Sequence, residues 1–395
     1  MENFEQVLDR HGGIGPGFDF LRIFLAVLIV LVHSILLTGH RKLFTQSPAW
    51  FLLESLVPMF FALSGFLITP SAIRLSLKNF MINRGLRIVP ALAVDVVICA
   101  LIIGPVFTSI PLGDYFLHQK FHVYFFNVIG NIHYLLPGIF QNNLSHDVNG
   151  ALWTVPYELL CYIIAAFFIV TNLIKSKVKI AILMAIMLIA GAFFSSRFQS
   201  KLPINSFYIP GNWSDFSDGS RAVEAFLFGV IAYQWRATIK YSKTIFFICI
   251  LICLGAALWP DAAKINAARI ILLPALTYIT LFIGLTAIPT PSYFKKGDYS
   301  YGIYLYHDPL MQCIIAIFPA IAMSSLFGTA FTFFSGMVLV LFVSNLSWHL
   351  IEKPILSMRK KFSFVARVRD LGVDKISTGA SENKIITDTE SIQKI

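Results

Sequence analysis

Charged residues are scarce in this sequence. Asp, Glu, Lys and Arg make up only 13% of its 395 residues, whereas 57% are hydrophobic and the mean hydropathy is +0.73. This composition excludes an ordinary soluble protein. Runs of about 20 apolar residues, each long enough to cross a bilayer, alternate with short polar loops. The sequence therefore predicts an all-α, polytopic membrane helix bundle without a large soluble domain.

Cysteine is also rare, and the common sequence motifs of soluble enzymes are missing. The five cysteines fall inside apolar runs without the spacing of metal ligands, which predicts small buried hydrophobic residues rather than disulfides or a zinc site. We find no Gly-rich phosphate loop and no nucleophile elbow. The expectation is therefore a protein with no metal cofactor.

The net charge of +10 could indicate nucleic-acid binding if the basic residues formed one patch. They lie instead in short loops between apolar runs and in the C-terminal tail, which is the distribution that membrane topology produces. We therefore expect membrane lipids as partners and no nucleic acid.

Apolar runs and polar breaks predict about ten spans. The predicted spans are 18–38, 49–69, 88–108, 152–172, 178–196, 222–238, 244–260, 270–288, 300–322 and 327–350. The first is expected to be retained, because no small-residue cleavage site follows it. The run 121–140 is broken by Asn, His, Gly and Pro, which favours an interfacial or re-entrant segment over an eleventh span.

The charges of the loops predict the topology. Loops 70–87, 173–179, 236–243 and 289–299 hold 12 Lys and Arg in 44 positions, whereas the alternate loops hold 8 in about twice that length. The positive-inside rule places the first set in the cytoplasm, and an even number of spans places both termini there. Residues 1–355 form the predicted membrane domain. Residues 356–395 form a cytoplasmic tail that is basic at first and is then predicted to be disordered.

Two ionisable residues share one face of the first span. Arg22 and His33 are eleven residues apart, which on an α-helix is three turns plus roughly 20°, with a rise of about 16 Å. Arg22 could extend to lipid phosphates, and His33 could be a structural hydrogen-bonding group. Ionisable residues inside a membrane more often line a site, and an imidazole there can act as a general base.

Other ionisable residues lie in or beside later spans. Glu158 is expected about 10 Å below the outer surface, either paired with a basic residue or part of a site. His307 is as compatible with a structural role as with a catalytic one, and Asp308 beside it should not share its helical face. His349 and Glu352 are expected to be interfacial anchors at the inner end of the last span.

A basic loop precedes the third predicted span. Arg84 and Arg87 are three residues apart, so on a helix they share a face at the cytoplasmic surface, where guanidinium groups suit phosphates. The alternative is ordinary positive-inside charge.

An ordered set of motifs now indicates a family. The motifs are Arg22 with His33, PMFFALSGFLI at 58–68, KNFMINRGLRIVPAL at 78–92, NGALWTVPYELLCYI at 149–163, YSYGIYLYHDPLM at 299–311 and IEKPI at 351–355. In these the chain resembles the bacterial acyltransferase-3 membrane proteins, which O-acylate surface polysaccharides and other exported glycans. It differs in having Arg-x-x-Arg for the family's Arg-x-Arg, and in residues 154–156 of the segment around Glu158.

The resemblance implies a multi-pass enzyme of the bacterial inner membrane. It would transfer an acyl group, expected to be acetyl, from cytoplasmic acyl-CoA to a hydroxyl of a glycan or lipid-linked sugar. The implied residues are His33, Glu158 and His307 for catalysis, Arg22, Arg84, Arg87, Lys295 and Lys296 for the donor, and Trp153 and Tyr157 for the acceptor. His33 would be a general base or a transient acyl carrier.

Two other classes of function remain open. A proton-coupled secondary transporter could use the same buried His and Glu as a relay, and it predicts inverted repeats. No such repeats are visible in the sequence. A scaffold protein of an envelope complex would have neither activity.

Overall fold

The computed structural model describes residues 1–198, 213–259, 272–291, 294 and 297–358, with side chains described outside 45, 190–198 and 213–218. Ten helices of at least 13 residues lie in these ranges, and each overlaps one predicted span. They are α1 (Phe18–Leu37), α2 (Trp50–Arg74), α3 (Leu77–Ile98), α4 (Val155–Val170), α5 (Lys177–Phe198), α6 (Trp213–Gln234), α7 (Lys243–Ala257), α8 (Leu273–Leu285), α9 (Ser300–Ile317) and α10 (Leu326–Ser347).

The helical class is confirmed, because the described residues contain no strand beyond two isolated bridges. Within the part of the chain that the structure describes, five helical segments are long and apolar enough to cross a membrane: Phe18–Leu37, Trp50–Arg74, Leu77–Phe107, Gly150–Val170 and Leu326–Ser357. The helices Lys243–Ala257 and Leu273–Leu285 are apolar but shorter. The chain is therefore a multi-pass membrane protein, and the count of ten spans stays a prediction.

Short helical segments connect or extend the long helices. They are Phe4–Arg10, Lys42–Thr45, Cys99–Ile103, Gly104–Phe107, Leu112–Leu117, Gln119–Tyr124, Phe125–Ile129, Gly150–Thr154, Leu173–Lys175, Pro319–Ala322, Trp348–Glu352 and Lys353–Ser357. The segment 121–140 contains only the end of one short helix, one 3₁₀ turn and irregular chain, so it forms no helix of span length. Its interfacial or re-entrant position stays a prediction.

Helix α3 begins eleven residues before the predicted span. Ser76 caps it by accepting a hydrogen bond from the backbone N–H of Asn79 at 3.4 Å, and the helix continues through a π turn at Cys99–Ile103 to Phe107. Arg84 and Arg87 are therefore inside a helix and not in a loop, which corrects the sequence analysis. The reason is that an arginine has good helix propensity and a long apolar stem, so charge alone did not mark the start of this helix.

Small residues allow two helices to pack closely. Gly65 of α2 lies against the backbone carbonyl of Phe226 in α6, and Gly229 of α6 lies against that of Ala62 in α2, each with no room for a Cβ atom. This is the packing expected between membrane helices, where a close backbone approach replaces the hydrophobic driving force. Helix α9 packs against both α1 and α10. That contact brings the histidine of α1 next to the histidine of α9.

The N-terminal residues lie against the loop between α6 and α7. The backbone N–H of Phe4 donates to the carbonyl of Ile239 at 3.0 Å, and the N–H of Tyr241 donates to the carbonyl of Glu2 at 2.8 Å. This loop and the N terminus are therefore at the same end of the bundle, which agrees with the prediction that both lie on one side of the membrane. That this end faces the cytoplasm stays a prediction.

Candidate active site

A histidine of α1 is hydrogen-bonded to an aspartate of α9. The distance from His33 Nδ1 to Asp308 Oδ1 is 3.0 Å. The Asp308 side chain is 2% exposed and that of His33 is 21% exposed, so the carboxylate is enclosed while the imidazole remains accessible. The other carboxylate oxygen, Oδ2, accepts a hydrogen bond from the backbone N–H of Gly150, the first residue of the turn before α4.

The second histidine packs on the same imidazole. The rings of His33 and His307 are 4.6 Å apart at 73°, and His307 is fully buried. Its Nδ1 lies 2.6 Å from the carbonyl oxygen of Tyr304. Because a carbonyl only accepts, Nδ1 carries the proton. Nε2 of His307 is then an acceptor with no hydrogen-bond partner among the described residues.

Asp308 is a functional residue that the sequence alone did not indicate. Neighbouring residues of a helix do point about 100° apart, but His33 lies between the directions of His307 and Asp308 and contacts both. The available signal was a carboxylate beside an imidazole within an otherwise apolar segment, since both groups are costly there without partners.

The same three side chains are a possible metal site. One ligand atom from each of His33, His307 and Asp308 lies within 4.8 Å of the other two. Two imidazoles and one carboxylate occur at catalytic zinc ions. The distance of 3.0 Å from His33 Nδ1 to Asp308 Oδ1 is, however, an ordinary hydrogen-bond length. A hydrogen bond therefore explains why these two side chains lie close together without a metal ion.

A cavity of about 160 Å³ contains most of the residues predicted to bind the donor. Arg22, Arg84, Arg87 and Glu158 line it. Tyr304 lines it as well and packs against His307, with ring centroids 6.0 Å apart. Tyr304 thereby connects the arginine cavity with the two histidines.

Two of the three arginines are paired with one aspartate. Arg22 Nη1 and Arg87 Nη2 lie 3.1 Å and 2.6 Å from Asp298 Oδ2. Burial alone would raise the pKa of Asp298, but the two guanidinium groups hold it well below its usual value. Sequence reasoning missed Asp298, which stands two residues before α9 and whose arginine partners are 276 and 211 residues away in the sequence.

Arg87 has a second acidic partner. Its Nη1 lies 3.8 Å from Glu352 Oε2, and the Glu352 side chain is only 3% exposed. The prediction that Glu352 is an interfacial anchor is therefore wrong, because the π turn at Trp348–Glu352 directs it inward, toward α3. His349 is exposed and bonds to the carbonyl of Asn345.

Arg84 differs from its neighbours. It forms no ion pair within the described part of the chain, and its buried Nε has no hydrogen-bond partner there. Its guanidinium group lies 5.8 Å from the ring centroid of Phe80. Arg84 thus has hydrogen-bond donors available for an anionic ligand in the cavity.

Glu158 lies on the arginine side of the site. It accepts a hydrogen bond of 2.6 Å from the Tyr162 hydroxyl and lines the same cavity as Arg84. The sequence predicts Glu158 about 10 Å below the outer surface and the arginines at the opposite, cytoplasmic surface. That arrangement is wrong, because Arg84 and Arg87 lie two to three turns inside α3 instead of in a surface loop.

The two residues predicted to bind the acceptor lie apart from the cavity. Trp153 and Tyr157 are one helical turn apart, with ring centroids separated by 6.1 Å, and neither lines the cavity. Lys295 and Lys296 lie outside the described residues. The roles of all four stay predictions.

Comparison with known proteins identifies the family of the chain. The family described as "Acyltransferase domain" matches residues 16–349. The chain is 27% identical to an "O-acetyl transferase" of Shigella phage Sf6 over 355 residues, which cover 86% of this chain and 96% of that protein. It is 26% identical to "Nodulation protein 10" of Rhizobium leguminosarum bv. viciae over 380 residues, covering 91% and 97%. No solved structure matches significantly. The chain therefore belongs to the acyltransferase-3 family and is an acyl-transferring enzyme.

Proposed function

We propose that this enzyme transfers an acetyl group from acetyl-CoA to a hydroxyl of a surface or exported glycan, or of a lipid-linked sugar. The observation that carries the proposal is the accessible imidazole of His33, which is held by Asp308 and packs on His307, whose ring in turn packs on Tyr304 of the arginine-lined cavity. The phage relative's name, "O-acetyl transferase", supports acetyl as the group transferred. The expected location is a bacterial inner membrane.

The cavity is the proposed donor site. Coenzyme A carries phosphates and presents its acyl group at the end of a narrow arm. Arg84 has unpaired donors and would bind a phosphate. Asp298 holds Arg22 and Arg87 in place, so they would contribute positive potential more than direct bonds. Lys295 and Lys296 would extend this site.

His33 is the proposed base. It would take the proton of the acceptor hydroxyl, so that the oxygen attacks the thioester carbonyl carbon, and then return the proton to the departing sulfur. Transfer through an acyl group held briefly on His33 remains the alternative path. Glu158 and Tyr162 lie on the donor side, so a proton-transfer role near the thioester fits Glu158 better than holding the acceptor.

Reconstitution in vesicles separates this proposal from a proton-coupled transporter. Wild-type protein supplied with labelled acetyl-CoA should release free CoA and label an added glycan acceptor. An imposed pH gradient should cause no uptake of the unacetylated acceptor. Gradient-driven uptake without CoA release would instead support the transporter.

A further inference from the structure

We propose that Asp308 is a positioning residue that determines which nitrogen of His33 carries the proton. This inference depends on the proposed function of His33 as the base. A carboxylate only accepts hydrogen bonds, so the Nδ1 that lies 3.0 Å from Asp308 must be the protonated nitrogen of a neutral imidazole. Nε2 of His33 then keeps its lone pair for the acceptor hydroxyl.

The orientation of the carboxylate is itself fixed. The backbone N–H of Gly150 donates to Oδ2 of Asp308, which leaves Oδ1 for His33. The neighbouring Asn149 holds this turn, because its Nδ2 donates to Asp95 Oδ2 and to the carbonyl of Leu305, each at 2.9 Å. Asn149 and Asp95 are buried, so this support is enclosed within the bundle.

His307 restricts the same imidazole from another side. Its ring packs edge-on against that of His33, and its own Nδ1 is committed to Tyr304. Because His307 is fully buried and His33 is not, the acceptor hydroxyl meets His33 first. His33 is thus the imidazole that would react, and Asp308 and His307 are the groups that hold it in place.

In the proposed reaction every proton and every charge is accounted for. The hydroxyl proton moves to His33 Nε2, the new C–O bond forms, the C–S bond of the thioester breaks, and the proton moves from Nε2 to the sulfur. Asp308 remains ionised throughout and stabilises the transient imidazolium. It exchanges no atom with either substrate.

Three substitutions of Asp308 distinguish positioning from a structural role. In Asp308→Asn the amide oxygen must face the Gly150 N–H, because an NH₂ group there would set two donors against each other. The amide NH₂ then faces Nδ1 of His33 and favours the imidazole with its proton on Nε2, which cannot act as a base. In Asp308→Ala the imidazole is free to adopt either form.

We therefore expect Asp308→Asn to be at least as damaging to kcat as Asp308→Ala, although Asn matches Asp in size. The fall in kcat should be about 10²- to 10⁴-fold. The KM for acetyl-CoA should change less than about threefold, because Asp308 does not line the donor cavity. Asp308→Glu should have a higher kcat than Asp308→Asn and Asp308→Ala, because it keeps a carboxylate.

The assay is acetyl transfer by purified protein in vesicles, with Glu224→Gln as the matched control. Glu224 is a buried carboxylate on α6, so this control measures the cost of replacing such a group by an amide away from the site. Retention of activity in Asp308→Asn, or clearly better kcat in Asn than in Ala, would overturn the positioning role. One equivalent of a divalent metal in the wild type, lost in both Asp308→Ala and His307→Ala, would also overturn it and identify a metal site. A wild-type protein that transfers no acetyl group would contradict the proposed function itself.

Discussion

At the residue scale, the partner of an ionisable side chain determines what it can do. Arg22, Arg84 and Arg87 all line one cavity, yet Asp298 holds two of them and leaves the third available. A guanidinium group already bound to a carboxylate has fewer donors for a phosphate than one without such a partner. Arg84 is for this reason the residue on which donor affinity should depend most.

Arg84→Gln should raise the KM for acetyl-CoA by about tenfold or more while kcat changes little, since a lost charge-assisted hydrogen bond contributes roughly 1.5–3 kcal/mol. Initial-rate kinetics measure this. Lys78→Gln is the control, because Lys78 is an exposed cation six residues earlier on α3. Equal effects of the two substitutions would show that Arg84 contributes general positive charge and no specific contact.

The sequence predicted some of these residues and not others, for a physical reason. Arg22 and His33 share a face because helix geometry relates residues eleven apart. Asp298 and Asp308 are 276 and 275 residues from the partners they bind in α1, and helix periodicity contains nothing about such distances. Those pairs depend on how α1 packs against the beginning and middle of α9.

At the element scale, the close contact between α2 and α6 determines the core of the bundle. Each helix places a glycine against the backbone of the other, at Gly65 and Gly229. A methyl group at either position would force the helices apart. The contact is therefore sensitive to the smallest possible substitution.

Gly65→Ala should destabilise the protein by about 1–3 kcal/mol, because the added Cβ overlaps the carbonyl of Phe226. Thermal unfolding in detergent, followed by size-exclusion chromatography, measures the change. Gly255→Ala is the control within α7, where a Cβ would meet no neighbour, and it should be neutral or slightly stabilising. Equal melting temperatures for the two variants would contradict the close crossing.

Asp298 connects three helices through its charge, since it lies before α9 and binds Arg22 of α1 and Arg87 of α3. Asp298→Asn should lower the free energy of unfolding by roughly 1–3 kcal/mol. This range already allows for the weakening of the two ion pairs by solvent, because their side chains are partly exposed. Asp19→Asn should cost under about 0.5 kcal/mol, because Asp19 is largely exposed and 3.9 Å from Arg22. A similar loss in both variants would contradict the connection.

The pH dependence of that loss follows from the lowered pKa of Asp298. A carboxyl group whose pKa is lower in the folded state stabilises fully above its unfolded value of about 3.9 and loses this effect as the pH falls through the folded value. The difference between wild type and Asp298→Asn should therefore be constant from pH 5 to 8 and shrink only in stronger acid. Melting curves across this range test it, and a difference that vanishes near pH 6 would contradict the pairing.

At the scale of the whole molecule, the sequence predicted the helical class and one helix for every span, because hydrophobic length is a strong signal. It misplaced the start of α3 by eleven residues, since two arginines inside a helix resemble a cytoplasmic loop in a charge count. That single error also displaced Glu158 relative to the arginines. An error in the predicted start of one helix therefore also changes the predicted arrangement of the site residues.

The orientation of the bundle is testable with single cysteines. Lys240→Cys, in the loop that pairs with the N terminus, should react with an impermeant thiol reagent only after the membrane is opened. Asn142→Cys, in the exposed loop before α4, should react in intact cells. Four native cysteines are buried and Cys313 is half-buried, so a wild-type control should give little background. Reaction of both new cysteines from the same side would contradict the topology.

Acetyl transfer by His33→Ala tests directly whether His33 is the base of the reaction. Vesicles containing this variant, wild type or His349→Ala, an exposed histidine outside the site, are given labelled acetyl-CoA and a glycan acceptor, after equal insertion has been verified. We expect His33→Ala to lose about 10²- to 10⁴-fold in transfer rate, whereas His349→Ala should retain the wild-type rate. A rate for His33→Ala within about threefold of wild type would contradict this role of His33.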